Sequence, residues 1–202
     1  MSKRNTKQDI LDASLDLFSV RGYEATSMAD IAEAVGIRKA SLYTHYSSKE
    51  EIFTSLIDFL TRQYESSSIF AKMDFHDGSL LKKPDDVAKE VKRHVMYIVH
   101  DPNMAKIRRL MVIEQFGNPA IKKLQQKYSY DDVMEYGEKM MRYLIDEGIF
   151  KDGDVKVLVG EFCLPISMWI SLCDRMPSKQ EEAMDMIERH VMHFYSTNMK
   201  GR

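Results

Sequence analysis

Apolar residues recur along this chain at intervals of three and four, the spacing that places them on one face of an α-helix. Near the N-terminus, Ile10, Ala13 and Leu17 form one such stripe, and Gly22 then ends the run. No segment shows the strict alternation of a half-buried β-strand. The pattern predicts helices over residues 6–20, 28–35, 38–46, 48–64, 84–100 and 103–116, a broken pair over 119–147, and helices over 154–175 and 179–197. We therefore predict an all-α chain, with a loop over residues 66–84 where Ser, Gly and Pro interrupt the period.

The ends of the predicted N-terminal helices carry capping signals. Thr26 or Ser27 can cap the helix that begins at residue 28. Ser48, followed three residues later by Glu51, has the spacing of a capping box at the start of the helix after it. We expect four short helices within the first third of the chain.

The composition is that of a globular protein. Of 202 residues, 44% are hydrophobic and 30% are charged, which argues against disorder, collagen-like repeats and a disulfide scaffold. Cys163 and Cys173 lack metal-type spacing, so reduced core thiols are predicted. The N-terminus lacks the apolar stretch of a signal peptide, and the charge-free segment over residues 162–173 is too short to span a bilayer. We expect a cytoplasmic protein with no membrane partner.

Candidate chemistry concentrates in residues 31–51, IAEAVGIRKASLYTHYSSKEE, where two short helical runs flank Gly36. Two short helices joined by a glycine-containing turn are typical of a helix-turn-helix, whose second helix enters the DNA major groove. The net charge of −2 argues weakly against nucleic acid, but Arg38, Lys39 and Lys49 stand together with no acid among them. The same pattern occurs in helical proteins that bind no DNA, so spacing alone leaves both interpretations open.

The residue types in this segment suit contact with DNA. Arg38 and Lys39 can donate to guanine edges or to phosphate. Lys49 lies beside the amide groups that open the next helix, and together they suit phosphate. Leu42 and Tyr46 are predicted to point inward and hold the helices together.

Residues 10–53 resemble the DNA-binding domain of the TetR family of bacterial transcriptional repressors. The resemblance rests on ILDASLDLFSVRGYEATSMADIAEAVGIRKASLYTHYSSKEEIF, in which the family's F…G, threonine cap, IA, G, LY-x-HF and SKE elements occur without a gap. The chain departs from the family at Arg38, where Ser or Thr is usual, and at Ala40, where Gly is usual. These departures bear on which operator sequence is bound.

The resemblance also implies a role for individual residues. It places Thr26, Tyr43, His45 and Lys49 on phosphates. It places Arg38, Lys39, Ser41 and Thr44 on bases. Ser27 and Ala40, which lets the helix approach the groove closely, complete the predicted interface with double-stranded DNA.

The family has a second, helical domain that binds a small ligand and dimerises, and the resemblance implies the same here. We expect a three-helix DNA-binding domain over residues 1–48 and a larger ligand-binding and dimerisation domain over residues 49–202. The predicted helix over 154–175 is apolar nearly all round, so it must be covered on several sides. With the helix over 179–197 it is the predicted homodimer interface; burial of both helices within a monomer is the alternative.

Polar and aromatic residues on otherwise apolar helices are candidate ligand contacts. They are His94, Tyr97, Glu114, Phe116 and Trp169. For each, an ordinary core or surface residue is the preferred interpretation. Pro165 is expected to kink its helix.

Sequence motifs give no support for an enzyme or for a cofactor. His190 and His193 are spaced to share a metal ion, but no third ligand accompanies them, so an exposed or interfacial surface is the preferred interpretation. Nucleophile-elbow, phosphate-loop and zinc-protease motifs are missing from the sequence. We predict a one-component regulator, a repressor, that binds a palindromic operator as a dimer and is released by a small molecule. A helical ligand-binding protein with a vestigial helix-turn-helix is the competing hypothesis.

Overall fold

A computed structural model describes residues 6–67 and 80–201, and the regular structure in these ranges is helical. The helices are α1 (Thr6–Arg21), α2 (Met28–Val35), α3 (Lys39–Tyr43), α4 (Lys49–Ser67), α5 (Pro84–His100), α6 (Pro102–Glu114), α7 (Pro119–Gln126), α8 (Asp132–Asp146), α9 (Val155–Arg175) and α10 (Gln180–Asn198). Short 3₁₀ turns cover Leu80–Lys82 and Pro177–Lys179, and a π-helical turn covers Lys127–Asp131. The predicted all-α class is confirmed.

The predicted boundaries agree closely with the observed ones, with one clear exception. The second helix begins and ends where the sequence predicted. The third was predicted over residues 38–46 but ends at Tyr43, because the amides of Thr44 and His45 bond to carbonyls three residues back. This tightening ends the α-helical ladder early. Most of the predicted loop, residues 68–79, lies outside the described residues.

The described chain divides into two compact units. The first comprises residues 6–67 and 103–126, and the second comprises residues 80–102 and 127–201. The first unit therefore contains α6 and α7 in addition to the N-terminal helices. A functional boundary after residue 48 stays a prediction.

An aromatic cluster holds the first unit together at the end of α1. The rings of Phe18 and Tyr23 are 5.6 Å apart, those of Tyr23 and Phe53 are 4.7 Å apart, and those of Phe18 and Phe53 are 5.7 Å apart. Edge-on contacts at these distances are favourable. They fix the turn after α1 against the start of α4.

The second unit is built around α5, α8, α9 and α10. Their buried residues form two apolar clusters, one with residues of all four helices and one with residues of α5, α9 and α10. Phe162 on α9 packs against Phe194 on α10, with ring centroids 5.1 Å apart. Phe150, in the turn before α9, packs edge-on against Tyr195 at 5.0 Å. The core thus holds α9 and α10 side by side.

Within residues 6–67 and 80–201, the apolar helix α9 is covered on one side only. Leu158, Val159 and Phe162 are buried, whereas Leu164 is 69% exposed and Met168 is 65% exposed. Cover of its remaining sides by a second copy of the chain stays a prediction. By length and composition α9 would also pass as a membrane span, but a single such helix is weak evidence for one. The helix continues through Pro165, which has no backbone N–H to donate to a carbonyl of the preceding turn.

Candidate DNA-binding interface

The helix-turn-helix is fixed by local hydrogen bonds at both ends of α2. Ser27 is its N-cap: the Ser27 hydroxyl accepts from the Asp30 amide at 3.2 Å, and the Asp30 carboxylate accepts from the Ser27 amide at 2.7 Å. The Ser27 hydroxyl also donates to the Asp30 carboxylate, and this bond, followed by the one that the Ser27 amide donates, lowers the pKa of Asp30. At the other end Gly36 has φ +74°, which favours glycine, and the Ile37 amide closes the turn on Ala32. The chain is thereby redirected into α3.

The short helix α3 has one inward side chain and an outward polar face. Leu42 is fully buried, and Tyr46 just beyond the helix is buried as well, as the sequence predicted. The predicted base-facing and flanking residues Arg38, Lys39, Ala40, Ser41, Tyr43 and Thr44 are all exposed. His45 is half-buried. Leu42 anchors the helix, so its opposite side is presented to solvent.

This outward face is rich in donors and contains no acid. Arg38 and Lys39 carry the positive charge, and the Tyr43 side chain is 46% exposed. The Thr44 hydroxyl donates to the Ser41 carbonyl at 2.7 Å, which orients it along the helix. Cationic and hydroxyl side chains on one exposed helix suit contact with phosphates and base edges.

Thr26 does not lie on this face. Its side chain is only 1% exposed, and its hydroxyl donates to the Gly22 carbonyl at 2.9 Å. The Thr26 hydroxyl is enclosed and already bonded, and a phosphate contact by this residue stays a prediction. Ser27 is exposed, but its hydroxyl is engaged in the α2 cap.

Lys49 opens α4 and reaches back to the turn after α1. Its ammonium donates to the Tyr23 carbonyl at 2.7 Å and approaches the Glu24 carbonyl at 3.5 Å. It also lies 4.1 Å from the centre of the Tyr23 ring, a cation–π distance. Sequence pattern gave no sign of these contacts, because Tyr23 and Lys49 are 26 positions apart.

The start of α4 differs in one detail from the predicted capping box. The Ser48 hydroxyl accepts from the Glu51 amide at 3.1 Å, as predicted. The Glu51 carboxylate, however, accepts from the amide of Ser47 at 2.6 Å and from its hydroxyl at 2.7 Å. These two bonds, first that from the hydroxyl, lower the pKa of Glu51. The reciprocal half of the box is shifted by one residue because Ser47 offers two donors.

The five candidate ligand residues are divided between the two units. Glu114 and Phe116 belong to the first unit, where Phe116 is 92% exposed. Glu114 accepts a hydrogen bond from the Tyr23 amide at 2.7 Å, a structural contact whose partner no sequence pattern indicates. His94, Tyr97 and Trp169 belong to the second unit. Ligand binding by these residues stays a prediction.

The two histidines of α10 lie in an open groove beside α9. Trp169 and Pro165 line the same groove. A ring nitrogen of His190, Nε2, is 3.0 Å from the Phe162 carbonyl, and His193 is exposed. Across residues 6–67 and 80–201, no cluster of three or more His, Cys, Asp or Glu side chains is arranged to hold a metal ion.

Comparison with known proteins identifies the N-terminal helices. The sequence pattern described as "Bacterial regulatory proteins, tetR family" matches residues 10–56. The negative transcriptional regulator IcaR of the biofilm operon icaADBC, from Staphylococcus epidermidis, is 44% identical over 69 residues. That match covers 30% of this chain and 37% of IcaR, so the chain matches little more than a third of that relative's length.

Similarity to solved structures extends along nearly the whole chain. The repressor MexZ of Pseudomonas aeruginosa superposes with a TM-score of 0.74 at 16% identity, covering 96% of this chain and 95% of MexZ. The Stenotrophomonas maltophilia repressor SmeT, in its complex with triclosan, superposes with a TM-score of 0.63 at 17% identity, covering 98% of this chain and 93% of SmeT. IcaR is described as a negative transcriptional regulator, and MexZ and SmeT are described as repressors. Residues 10–56 are thus similar to the tetR family of bacterial regulatory proteins, and 96% of the chain shares its fold with MexZ.

Proposed function

We propose that this protein is a cytoplasmic transcriptional repressor that binds an inverted-repeat operator as a homodimer and is released by a small molecule. The observation that carries the proposal is the outward face of α3. Arg38, Lys39 and Tyr43 are exposed there on a helix anchored by buried Leu42. In helix-turn-helix proteins this helix lies in the major groove, where such side chains meet phosphates and bases.

The exposed apolar side of α9 supports dimerisation. Val157, Leu164 and Met168 are each more than half exposed, although α9 is the most apolar helix of the second unit. Contiguous apolar surface of this kind is characteristic of protein interfaces. Pairing α9 and α10 with the same helices of a second copy would bury it in a four-helix bundle. A two-fold dimer would present two α3 helices to half-sites about 34 Å apart.

Release by a ligand is supported by a structural relative that has a small molecule bound. SmeT was solved with triclosan, and its fold matches this chain over 98% of its length. His94, Tyr97 and Trp169 are the candidate contacts within the second unit of this chain. Release requires that the ligand bind the form with low DNA affinity more tightly, since a ligand indifferent to the two forms would shift nothing.

Affinity selection of fragments of the source genome tests the proposal. Wild-type protein is compared with Tyr43→Ala and with Tyr130→Ala, a matched control because Tyr130 is also exposed but lies in the second unit. Enrichment of one inverted repeat by wild type and Tyr130→Ala, with loss in Tyr43→Ala, is the expected result. Failure of folded wild-type protein to enrich any sequence would overturn the proposal and favour a ligand-binding protein with a vestigial helix-turn-helix.

A further inference from the structure

The backbone of Tyr23, in the turn after α1, is held at both its N–H and its C=O by residues distant in sequence. Its N–H donates to Glu114 Oε1 at 2.7 Å, and its carbonyl accepts from Lys49 Nζ at 2.7 Å. Glu114 is the last residue of α6, and Lys49 is the first residue of α4. All three residues belong to the first unit. The two peptide groups that flank the Tyr23 Cα therefore connect the end of α6 to the start of the helix that follows α3.

The preceding residue makes the Glu114 contact possible. Gly22 has φ +80°, a conformation that favours glycine. A Cβ atom at Gly22 would lie 3.1 Å from Glu114 Oε1 and 3.4 Å from the Cγ2 atom of Ile113. The lack of a side chain thus lets the carboxylate come close enough to accept from the next amide.

The Lys49 ammonium is oriented by this turn. It donates to the Tyr23 carbonyl, approaches the Glu24 carbonyl and lies over the Tyr23 ring. An ammonium group has three N–H donors, so two carbonyl partners leave one for a further acceptor. A lysine held in this way loses less side-chain freedom when it binds a phosphate than a lysine extended into solvent.

We propose that Glu114 is a positioning residue for DNA binding. By holding the Tyr23 N–H, it fixes the backbone whose carbonyl in turn holds Lys49 oriented toward a DNA phosphate. This inference rests on the proposed function. It assigns Glu114 a role at the DNA, through Tyr23 and Lys49, in place of a direct ligand contact. Charge alone would give the opposite effect, since removing a carboxylate strengthens the attraction of the protein for a polyanion.

The test measures operator affinity of the full-length protein over a series of salt concentrations. Glu114→Ala removes the acceptor, and the expected loss of affinity is about tenfold, the order of one charged hydrogen bond. The slope of log affinity against log salt is expected to fall by about one, as for the loss of one phosphate contact. Glu114→Gln keeps an acceptor oxygen and should bind at least as tightly as wild type.

Two further variants separate positioning from general loosening. Asp16→Asn removes a negative charge and breaks the ion pair between Asp16 on α1 and Lys106 on α6, without touching Tyr23. It should not weaken DNA binding. If Glu114 acts through Lys49, adding Glu114→Ala to Lys49→Ala should cause no further loss, because coupled residues are not additive.

The outcomes distinguish this inference from the proposed function. Wild-type protein that binds no operator overturns the proposed function and this inference with it. Two outcomes overturn the positioning role alone, provided that wild type binds and Lys49→Ala weakens binding. In one, Glu114→Ala binds as tightly as wild type; in the other, the loss caused by Glu114→Ala adds to that caused by Lys49→Ala. Melting temperatures of the variants identify any that fail to fold, and in that case Glu114→Gln and Asp16→Asn carry the comparison.

Discussion

The close packing of α8 on α9 predicts that a single methyl group at Gly137 destabilises the second unit. Gly137 is buried on α8, and a Cβ atom there would lie 2.6 Å from Val159 Cγ1 and 3.0 Å from Val159 Cγ2. Valine has one strongly preferred rotamer in a helix, so these methyl groups cannot turn away. The helices must therefore separate to admit an alanine.

The magnitude follows from two opposing terms. Overpacking a tight core costs about 1–3 kcal/mol. Replacing glycine by alanine within a helix recovers about 1 kcal/mol. Because the Gly137 contact is far inside normal van der Waals distance, we expect Gly137→Ala to lower the free energy of unfolding by about 1–2 kcal/mol. Gly160→Ala is the matched control on α9, where the nearest atom to the new methyl, Leu164 Cδ1, is at an ordinary 3.8 Å. It should stabilise the protein by up to about 1 kcal/mol.

Urea unfolding followed by the fluorescence of Trp169, the single tryptophan of the chain, measures these changes. The protein concentration must be held constant, because association stabilises the folded chain. Adding Val159→Ala should relieve Gly137→Ala, so that the double variant is more stable than the sum of the single losses by about 1 kcal/mol or more. A Gly137→Ala protein as stable as wild type, or strictly additive losses, would refute the close packing of α8 on α9.

Three further perturbations have defined outcomes. Because the pKa of Asp30 is lowered in the folded protein, its carboxylate stabilises the fold at pH values above its ordinary pKa of 3.8. This contribution is lost as the pH falls through the pKa of Asp30 in the folded protein. In urea titrations, the stability difference between wild type and Asp30→Asn should therefore be present at pH 7 and shrink toward pH 3; a constant difference would contradict the cap. Leu164→Lys, on the exposed side of α9, should shift the protein toward monomer in sedimentation velocity, whereas an unchanged dimer would place the interface elsewhere. Burial raises the pKa of Cys163 to about 11, so its thiol should react with an alkylating reagent at pH 8 far more slowly in the folded protein than in urea, and equal rates would contradict its burial.

Local sequence was sufficient for the helices and for much of the candidate interface. The helix over 28–35 was predicted to the residue, because Ser27 and Gly36 supply its cap and its stop within the segment itself. The inward placement of Leu42 and Tyr46 was also predictable, since helical periodicity alone assigns them to the face opposite the cations. Contacts between residues three and four apart in a helix can be predicted from their spacing in the sequence.

Contacts between distant segments could not be predicted in this way. Thr26 was assigned to DNA by resemblance, but only the folded unit reveals that its hydroxyl is enclosed and bonded to Gly22. The Glu114 carboxylate reaches Tyr23 across 91 positions, and no periodicity relates the two. The sequence by itself determined the helical class, the positions of the helices and the character of the exposed face of α3, because those depend on local hydrogen bonds and spacing. The tertiary structure alone decided which polar side chains are enclosed and which side of α9 the described residues leave uncovered, because packing brings together side chains whose sequence separation carries no signal.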